Sequence, residues 1–267
     1  MHATMTNGQQ QIHAAFAKAR AAGRCAVLPF VTAGYPDVAT TEQLLRELPA
    51  AGADLIEIGF PFSDPIADGP VIAESMHLAL LAGITPDAIF DLVARAKPTV
   101  PVLAMVSISI VERMGREAFI ARAVQSGFSG FIVPDADPAT AEALSVEAGR
   151  HGAGFCALIS PTTADARLAS LARHSTGFIY LLARVGVTGE RTDAPEITER
   201  VSRLRAITSA PIAAGFGIAT KEHIAAVGAA GADGAIVGSA IVRKMTDACK
   251  NGESAAAAAL SLVRSYR

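Results

Sequence analysis

Short apolar runs alternate with longer helical stretches along almost the whole chain. Runs of this kind, rich in β-branched residues and bounded by turn residues, are typical of buried parallel strands. They predict eight strands: Ala26–Val31, Leu55–Ile58, Val100–Met105, Phe131–Val133, Gly154–Ile159, Phe178–Leu182, Ile212–Ala214 and Ala235–Val237. A helix over Gln9–Ala22 precedes them, a last helix starts at Glu253, and the helices between begin near Val38, Pro86, Arg116, Pro138, Ala164, Pro195 and Thr220. Eight such units are the number that closes into a barrel.

A weak internal repeat supports the barrel. AGADLIEIG at 51–59 is echoed by AGADGAIVG at 230–238, and SGFSGFIVP at 126–134 has the same form. Each copy ends a helix at glycine, turns tightly and enters a buried strand. We therefore expect an α/β protein with one domain over 1–267, a (β/α)8 TIM barrel with an extra N-terminal helix and a flexible tail over 1–11. An open doubly wound sheet is the alternative, although no GxGxxG follows the first strand.

The composition narrows the class of protein. Of the 267 residues, 51% are hydrophobic and 18% are charged, which is enough apolar material for a large core. The formal net charge is −2 and the basic residues are dispersed, so nucleic-acid binding is not predicted. No apolar run approaches the roughly 18 residues of a membrane span, and Met1–Gln11 is polar, so we expect a cytoplasmic protein without membrane contact. Cys25, Cys156 and Cys249 are expected to be free thiols.

The segment Leu55–Pro70, LIEIGFPFSDPIADGP, carries the strongest chemical signal. Glu57 lies in an otherwise apolar strand, where a carboxylate is costly to bury unless it has a use. The prolines and Gly69 interrupt regular structure after the strand, so the loop can fold back and bring Asp68 near the strand end. Local sequence leaves two alternatives open, namely that Glu57 pairs with an arginine and that Asp68 only stabilises a turn.

Glycine-rich loops follow the later strands. Gly215-Phe216-Gly217 and Gly238-Ser239 come after the seventh and eighth strands, where this fold commonly binds phosphate. Glycine lets the backbone approach an anion, and the N–H groups at the start of the next helix face it. Neither loop contains Lys or Arg, so backbone dipoles would hold the phosphate. Tyr180 and the GVTG loop at 186–189 are expected at the same edge of the barrel.

These residues together resemble the tryptophan synthase alpha chain family. The similarity rests on PFVTAGYP at 29–36, PFSDPIADGP after Glu57, Tyr180 with GVTG at 186–189, GFGI at 215–218 and GSAIV at 238–242. The resemblance implies a (β/α)8 lyase of tryptophan biosynthesis that cleaves indole-3-glycerol phosphate to indole and glyceraldehyde 3-phosphate. It also implies an αββα heterotetramer in which no cofactor is expected on this chain and pyridoxal phosphate is expected only on the beta chain.

The same resemblance assigns roles to individual residues. Glu57 is then the general acid and base, and Asp68 is the carboxylate that faces the indole nitrogen. The substrate-binding residues are Phe30, Tyr180, Thr188, Gly189, Phe216, Gly217, Gly238 and Ser239. Thr188 is expected to meet the Asp68 carboxylate when its loop closes, whereas Phe30 and Tyr180 are ordinary core aromatics in the alternative interpretation. The lysines lie in or beside predicted helices and the six histidines lack ligand spacing, which leaves a two-carboxylate mechanism.

Three segments depart from the family pattern. MVSISIV at 105–111 replaces a segment rich in Tyr and Asn, PDADPAT at 134–140 replaces PDLPxEE, and Ala183 replaces the usual serine before Arg184. In the family the first two segments line the mouth and signal to the beta chain, so catalysis is better supported than normal coupling. Two alternatives therefore remain: a stand-alone lyase that releases free indole, and a non-catalytic alpha-like barrel that regulates a beta chain.

Overall fold

The strands form a single parallel sheet in the computed structural model, which describes residues 7–65, 68–160, 162–183, 197–215 and 217–267. The strands within these ranges are β1 (Ala26–Thr32), β2 (Ile56–Gly59), β3 (Val102–Met105), β4 (Phe128–Ile132), β5 (Gly154–Phe155), β6 (Leu158–Ile159), β7 (Ile179–Leu182), β8 (Ile212–Gly215) and β9 (Gly234–Val237). Every pairing between neighbouring strands is parallel.

Helices surround this sheet. Those in the described ranges are α1 (Gly8–Ala21), α2 (Val38–Ala51), α3 (Pro70–Leu81), α4 (Pro86–Ala96), α5 (Ile108–Met114), α6 (Arg116–Ser126), α7 (Pro138–Arg150), α8 (Asp165–His174), α9 (Thr198–Arg205), α10 (Lys221–Ala229), α11 (Ser239–Lys250) and α12 (Ala255–Ser265). In this part of the chain no single helix is long and apolar enough to cross a membrane. The helices α3 and α4 meet that criterion only as a pair, and they are bent by 98° relative to each other.

The sheet closes on itself through β5 and β6. These strands lie at its two ends, in the order β5-β4-β3-β2-β1-β9-β8-β7-β6, but only Cys156 and Ala157 separate them in sequence. The Cys156 N–H donates to the Phe131 carbonyl on one side at 2.9 Å, and the Ala157 carbonyl accepts from the Tyr180 N–H on the other at 3.0 Å. The predicted fifth strand is thus one barrel strand in two halves, and the fold is the expected (β/α)8 TIM barrel rather than an open sheet.

The amino-terminal end of the barrel is closed by α1. Ile12 and Phe16 of this helix are buried and join the side chains that point into the barrel from the strands. Added Cβ atoms at Gly130 and Gly154 would stand 2.9 and 2.8 Å from the Ile12 Cδ1 atom, and one at Gly234 would stand 2.7 Å from the Phe16 Cε1 atom. Because these three strand glycines have no side chain, the helix can pack directly against the barrel floor.

Helix α1 begins inside the segment 1–11 for which a flexible tail is predicted. The Asn7 side chain accepts a hydrogen bond from the Gln10 N–H at 2.9 Å, and the Gln10 side chain accepts one from the Asn7 N–H at 3.1 Å. This reciprocal pair is a capping box, which satisfies two N–H groups at a helix start. The helix therefore begins at Gly8, and residues 8–11 belong to it because glutamine is a good helix former and Gln10 is the cap partner of Asn7.

Most other predicted boundaries lie within two residues of the observed ones. An exception is β4, which begins at Phe128 rather than Phe131, and the predicted helix start at Pro195 lies outside the described residues. Three helices were not predicted. They are α3, which has Pro70 in its first turn, the short α5, and α11, which begins directly after the Gly238 turn.

The aspartate of the first AGAD repeat joins neighbouring strands at the amino-terminal end. Asp54 precedes β2 and accepts a hydrogen bond from the Val27 N–H of β1 at 2.9 Å. Its two oxygens also bind the Arg24 guanidinium at 2.6 and 2.7 Å, which is the bidentate geometry that arginine favours. Asp54 is therefore buried with both of its oxygens hydrogen-bonded.

The second repeat places Asp233 in the equivalent position. Asp233 precedes β9 and accepts a hydrogen bond from the Ile212 N–H of β8 at 2.8 Å. Arg20 of α1 binds one of its oxygens at 2.6 Å, and Arg205 of α9 binds the other. The repeat seen in the sequence therefore has a structural role, since each copy pairs a carboxylate with the preceding strand and with arginine.

Candidate active site

A cavity of about 610 Å³ lies at the carboxyl-terminal end of the barrel strands. That is the end at which barrels of this class carry their functional loops. The predicted site residues that line it are Phe30, Asp68, Tyr180, Gly217, Gly238 and Ser239. The volume is in the range of sites that enclose most of a small-molecule ligand. The structure thus brings six of the ten predicted residues to one cavity.

Glu57 lies in β2 directly behind the cavity wall. Its register neighbours are Phe30 in β1 and Leu103 in β3, and its side chain is fully buried. Neither carboxyl oxygen has a hydrogen-bond partner among the described residues, so the predicted alternative of a structural ion pair with arginine is not observed there. Burial raises the pKa of Glu57 well above its ordinary value. The raised pKa favours the protonated form of the side chain, which is the form that can donate a proton.

Asp68 lies in the loop between β2 and α3 and faces the cavity. Its backbone N–H donates to the Pro65 carbonyl at 3.0 Å, so the residue does form part of a turn. The carboxyl group nevertheless lines the cavity, and burial raises its pKa to about 6. The two sequence interpretations are therefore compatible, because the turn uses the backbone and leaves the side chain for the cavity.

Tyr180 lies in β7, close enough to both Glu57 and Asp68 for the two carboxyl groups to affect its pKa. Burial raises its pKa well above the ordinary value, and the nearby carboxyl groups of Glu57 and Asp68 raise it further. Its ring stacks on Phe178 with the centroids 6.4 Å apart. A Cβ added at Gly215 in β8 would stand 2.6 Å from the Tyr180 hydroxyl, so that glycine leaves the space which the phenol occupies.

The predicted phosphate loops meet the cavity on its other side. Gly217 has φ +80°, a left-handed conformation that favours glycine. Gly238 precedes α11 and offers no side-chain cap to the first N–H groups of that helix, and Ser239 is its first residue. A helix start of this kind attracts anions through its N–H groups and its dipole. The polar backbone there faces the same cavity as the carboxyl group of Asp68.

Sequence reasoning missed much of the apolar lining. The residues concerned are Phe60, Phe62, Ile72, Met76, Met105, Leu158, Leu182 and Ile236. For the strand residues a usable signal existed, because alternate side chains of each barrel strand point inward. Met105, Leu182 and Ile236 occupy such inward positions near the ends of their strands, but locating the cavity rim required the register of neighbouring strands.

The two segments that depart from the family pattern touch each other at the cavity mouth. The Ser107 hydroxyl donates to one carboxyl oxygen of Asp135 at 2.7 Å, and the Ile108 N–H donates to the other at 2.9 Å. Ser107 and Asp135 both line the cavity. The altered segments 105–111 and 134–140 therefore form one connected polar rim beside β3 and β4.

Three predicted binding residues, Thr188, Gly189 and Phe216, lie outside the described residues. The contact between Thr188 and Asp68 therefore stays a prediction. Across the described ranges, no group of three or more His, Cys, Asp and Glu side chains is arranged to hold a metal ion. The three cysteines are free thiols, as predicted, and burial raises the pKa of Cys25 to about 12.

Comparison with known proteins agrees with this arrangement. A family model described as tryptophan synthase alpha chain matches residues 16–267. The tryptophan synthase alpha chain of Gloeobacter violaceus is 42% identical over 236 residues, which cover 87% of this chain and 86% of that protein. The tryptophan synthase alpha chain of Halorhodospira halophila is 41% identical over 249 residues, which cover 92% of this chain and 89% of that protein.

Solved structures share the barrel. The tryptophan synthase subunit alpha of Legionella pneumophila superposes with a TM-score of 0.87 at 32% identity, covering 96% of both chains. A chain of tryptophan synthase from Mycobacterium tuberculosis superposes with a TM-score of 0.86 at 30% identity, again covering 96% of both chains. Sequence and structure agree over nearly the whole chain, and the chain belongs to the tryptophan synthase alpha chain family.

Proposed function

We propose that the protein cleaves indole-3-glycerol phosphate to indole and glyceraldehyde 3-phosphate, with Glu57 and Asp68 as its catalytic residues. The observation that carries this proposal is the buried carboxyl group of Glu57, which has no hydrogen-bond partner among the described residues and lies behind a cavity that Asp68 lines. A buried acid without a partner lowers stability, so such groups are found where chemistry uses them. Its position at the carboxyl-terminal end of a barrel strand supports the same conclusion.

The raised pKa of Glu57 fits a retro-aldol cleavage. Protonated Glu57 donates its proton to carbon 3 of the indole, and the resulting carboxylate then takes the proton of the side-chain hydroxyl. The bond between carbon 3 and the hydroxyl-bearing carbon breaks, its electron pair returns to the ring, and the former alcohol becomes an aldehyde. Glu57 ends the cycle protonated, as it began, and the reaction is balanced without an oxidant or a reductant.

Asp68 has the complementary task in this mechanism. Protonation at carbon 3 leaves a positive charge on the ring nitrogen, and a nearby carboxylate stabilises that charge as it develops. Burial raises the pKa of Asp68 to about 6, so the group is mostly ionised at neutral pH, whereas the fuller burial of Glu57 favours its protonated form. Different environments thus suit two carboxyl groups to opposite roles in one cavity.

The remaining predicted residues would hold the ends of the substrate. Phe30 and Tyr180 would contact the indole, and the backbone of Gly217, Gly238 and Ser239 would bind the phosphate. Phe216, Thr188 and Gly189, which lie outside the described residues, are assigned to the same site by the family resemblance alone. This division keeps the phosphate near the start of α11 and the ring near the carboxyl groups.

The proposal includes a partner and a location. We expect a tryptophan synthase beta chain in an αββα heterotetramer, with pyridoxal phosphate on the beta chain and no cofactor needed for cleavage on this chain. Support comes from the Mycobacterium tuberculosis protein, whose structure is described as tryptophan synthase. The free cysteines fit a reducing compartment such as the cytoplasm.

The function is tested by measuring indole release from indole-3-glycerol phosphate with purified protein, with and without a beta chain. We expect indole and glyceraldehyde 3-phosphate in equal amounts, at a rate that the beta chain increases. A rate of indole release that is the same with and without the beta chain would support a lyase working alone. Release no faster than that of a Glu57→Gln control in both arms would refute the catalytic assignment and leave a regulatory barrel.

A further inference from the structure

Gly59 ends β2, and the ring of Phe30 lies across it. A Cβ atom on Gly59 would stand 2.4 Å from the Phe30 Cζ atom and 2.6 Å from its Cε2 atom, which is closer than side-chain atoms approach one another. The φ angle of Gly59 is not positive, so its backbone conformation is open to any residue. Glycine is therefore needed at position 59 for space and not for its backbone conformation. The Phe30 ring occupies the space that a side chain would fill.

The position of the ring is tied to Glu57. Phe30 of β1 is the register neighbour of Glu57 in β2, so the two side chains begin side by side. Gly59 lies two residues further along the same strand, on the same face and about 7 Å nearer the cavity. A ring that starts beside Glu57 and lies across Gly59 consequently separates the Glu57 carboxyl group from the cavity mouth. In agreement with this, Phe30 lines the cavity whereas Glu57 has no exposed surface.

Three other titratable side chains lie near Glu57 or near its neighbour Tyr180. Tyr180 faces Glu57 from β7, and Cys156 faces it from the segment between β5 and β6. Asp68 approaches Tyr180 from the loop before α3. None of these three groups carries a positive charge, so none offsets the charge of an ionised Glu57. Access of water is therefore the main variable that decides whether the Glu57 carboxyl group ionises.

We propose that Gly59 is a positioning residue, which lets the Phe30 ring cover Glu57 and keep its carboxyl group out of water. This inference rests on the proposed role of Glu57 as the general acid. If the ring were displaced, water would reach the carboxyl group and stabilise its ionised form. The enzyme would then begin its cycle with less of the acid that protonates the substrate.

The direct test measures the titration of Glu57 in the substrate-free protein. Glutamate labelled with ¹³C at the side-chain carboxyl gives a signal that follows ionisation, and the Glu57→Gln variant identifies the signal of that residue. Gly59→Ala should raise the ionisation constant of Glu57 at least about tenfold, because the added methyl group displaces the ring. Phe30→Leu should act in the same direction, since leucine lacks the ring atoms that cover Gly59.

Two further variants make the test specific. In the Gly59→Ala and Phe30→Leu double variant, the second substitution should add little, because both remove the same cover. Gly238→Ala introduces the same methyl group near the same ring, but its Cβ would stand an ordinary 3.5 Å from the Phe30 Cβ atom. It should leave the titration of Glu57 unchanged. If the substitutions only loosened the barrel in general, Gly59→Ala and Gly238→Ala would shift the titration of Glu57 equally.

The outcomes separate this inference from the proposed function. An unchanged Glu57 titration in folded Gly59→Ala and Phe30→Leu would overturn the positioning role, whatever the activity. If Gly59→Ala does not fold, Phe30→Leu decides the question alone. If these variants shift the titration of Glu57 but the wild-type protein releases no indole, the positioning role is retained and the proposed function is rejected. When both hold, the pH profile of kcat/KM should move with the titration of Glu57.

Discussion

Asp54 and Glu57 lie three residues apart at the same barrel strand, and both side chains are buried, yet their surroundings are opposite. Asp54 faces the amino-terminal end and binds Arg24 through both oxygens as well as the Val27 N–H. Glu57 faces the carboxyl-terminal end and has no hydrogen-bond partner among the described residues. One carboxylate stabilises the fold, and the other is the one that we propose for catalysis.

The two ends of the barrel repeat this difference on a larger scale. At the amino-terminal end Ile12 and Phe16 fill the barrel, and the second repeat aspartate, Asp233, is paired as Asp54 is. At the carboxyl-terminal end a cavity of about 610 Å³ remains, and Asp68 lines it with a raised pKa. Satisfied polar groups stabilise a fold, whereas unsatisfied ones lower its stability and are retained for function. Predictions about the two ends should therefore differ in kind.

The largest expected effect is on the rate at the carboxyl-terminal end. Glu57→Gln keeps the shape of the side chain but cannot transfer a proton, so kcat for indole release should fall roughly 10³-fold. The midpoint of urea unfolding should change little, because the amide is buried in the same place. A rate within a few-fold of wild type in a folded variant would remove Glu57 from the mechanism.

The next effect is on stability at the amino-terminal end. Asp54→Ala leaves the Arg24 guanidinium and the Val27 N–H without their carboxylate, and should lower the free energy of unfolding by about 3 kcal/mol. Urea denaturation measures this loss, and kcat per folded molecule should be retained. Asp233→Ala is the matched comparison, since Asp233 also binds a strand N–H and arginine in the other repeat. A large loss of kcat in either folded variant would contradict the division between the ends.

Some of this division was predictable from sequence. Glu57 is conspicuous because a charged residue interrupts an apolar strand, and the AGAD repeats mark Asp54 and Asp233 without showing their purpose. That Glu57 has no partner within the described ranges was not predictable, since this depends on side chains that β1, β3 and β7 contribute from distant parts of the chain. The link between Ser107 and Asp135 spans 28 residues for the same reason.

Two of the three helices that were not predicted, α3 and α11, share a cause. Helices α3 and α11 both start at the cavity, where the preceding glycine or proline was interpreted as part of a loop. Pro70 is in fact favoured in the first turn of a helix because its missing N–H is not needed there. Local signals were therefore weakest where loop and helix meet to form the site.

A smaller effect is expected from the phosphate side of the cavity. Gly217→Ala forces a side chain into a left-handed conformation and keeps the backbone away from the anion. KM should rise about tenfold while kcat changes little, because the phosphate is remote from the bond that breaks. Steady-state kinetics provides both constants. A loss confined to kcat would place Gly217 in the chemical step instead.

The smallest effect is a pH dependence that acts in opposite directions on rate and stability. The folded pKa of Asp68 is raised to about 6, so kcat/KM should be half-maximal there and fall as the carboxylate becomes protonated below it. A raised folded pKa means that the folded state binds the proton more tightly than the unfolded chain. The stability contributed by this group is therefore present below about pH 4 and lost as pH rises through about 6.

Asp68→Asn is the control for that pH dependence, because asparagine does not titrate. The difference in unfolding free energy between wild type and this variant should change between about pH 4 and 7 and stay constant above that range. The variant should also lose most of its cleavage activity at every pH. A pH-independent difference in stability would show that Asp68 titrates normally in the folded protein.

The most direct test of the central claim is a crystal structure of the Glu57→Gln variant with indole-3-glycerol phosphate bound. The account predicts that the indole nitrogen lies about 3 Å from the Asp68 carboxylate, a hydrogen-bond distance, with carbon 3 beside the side chain at position 57. The phosphate should then rest on the backbone of Gly217, Gly238 and Ser239. A substrate bound with Asp68 turned away from the ring, or with its phosphate elsewhere, would contradict the account.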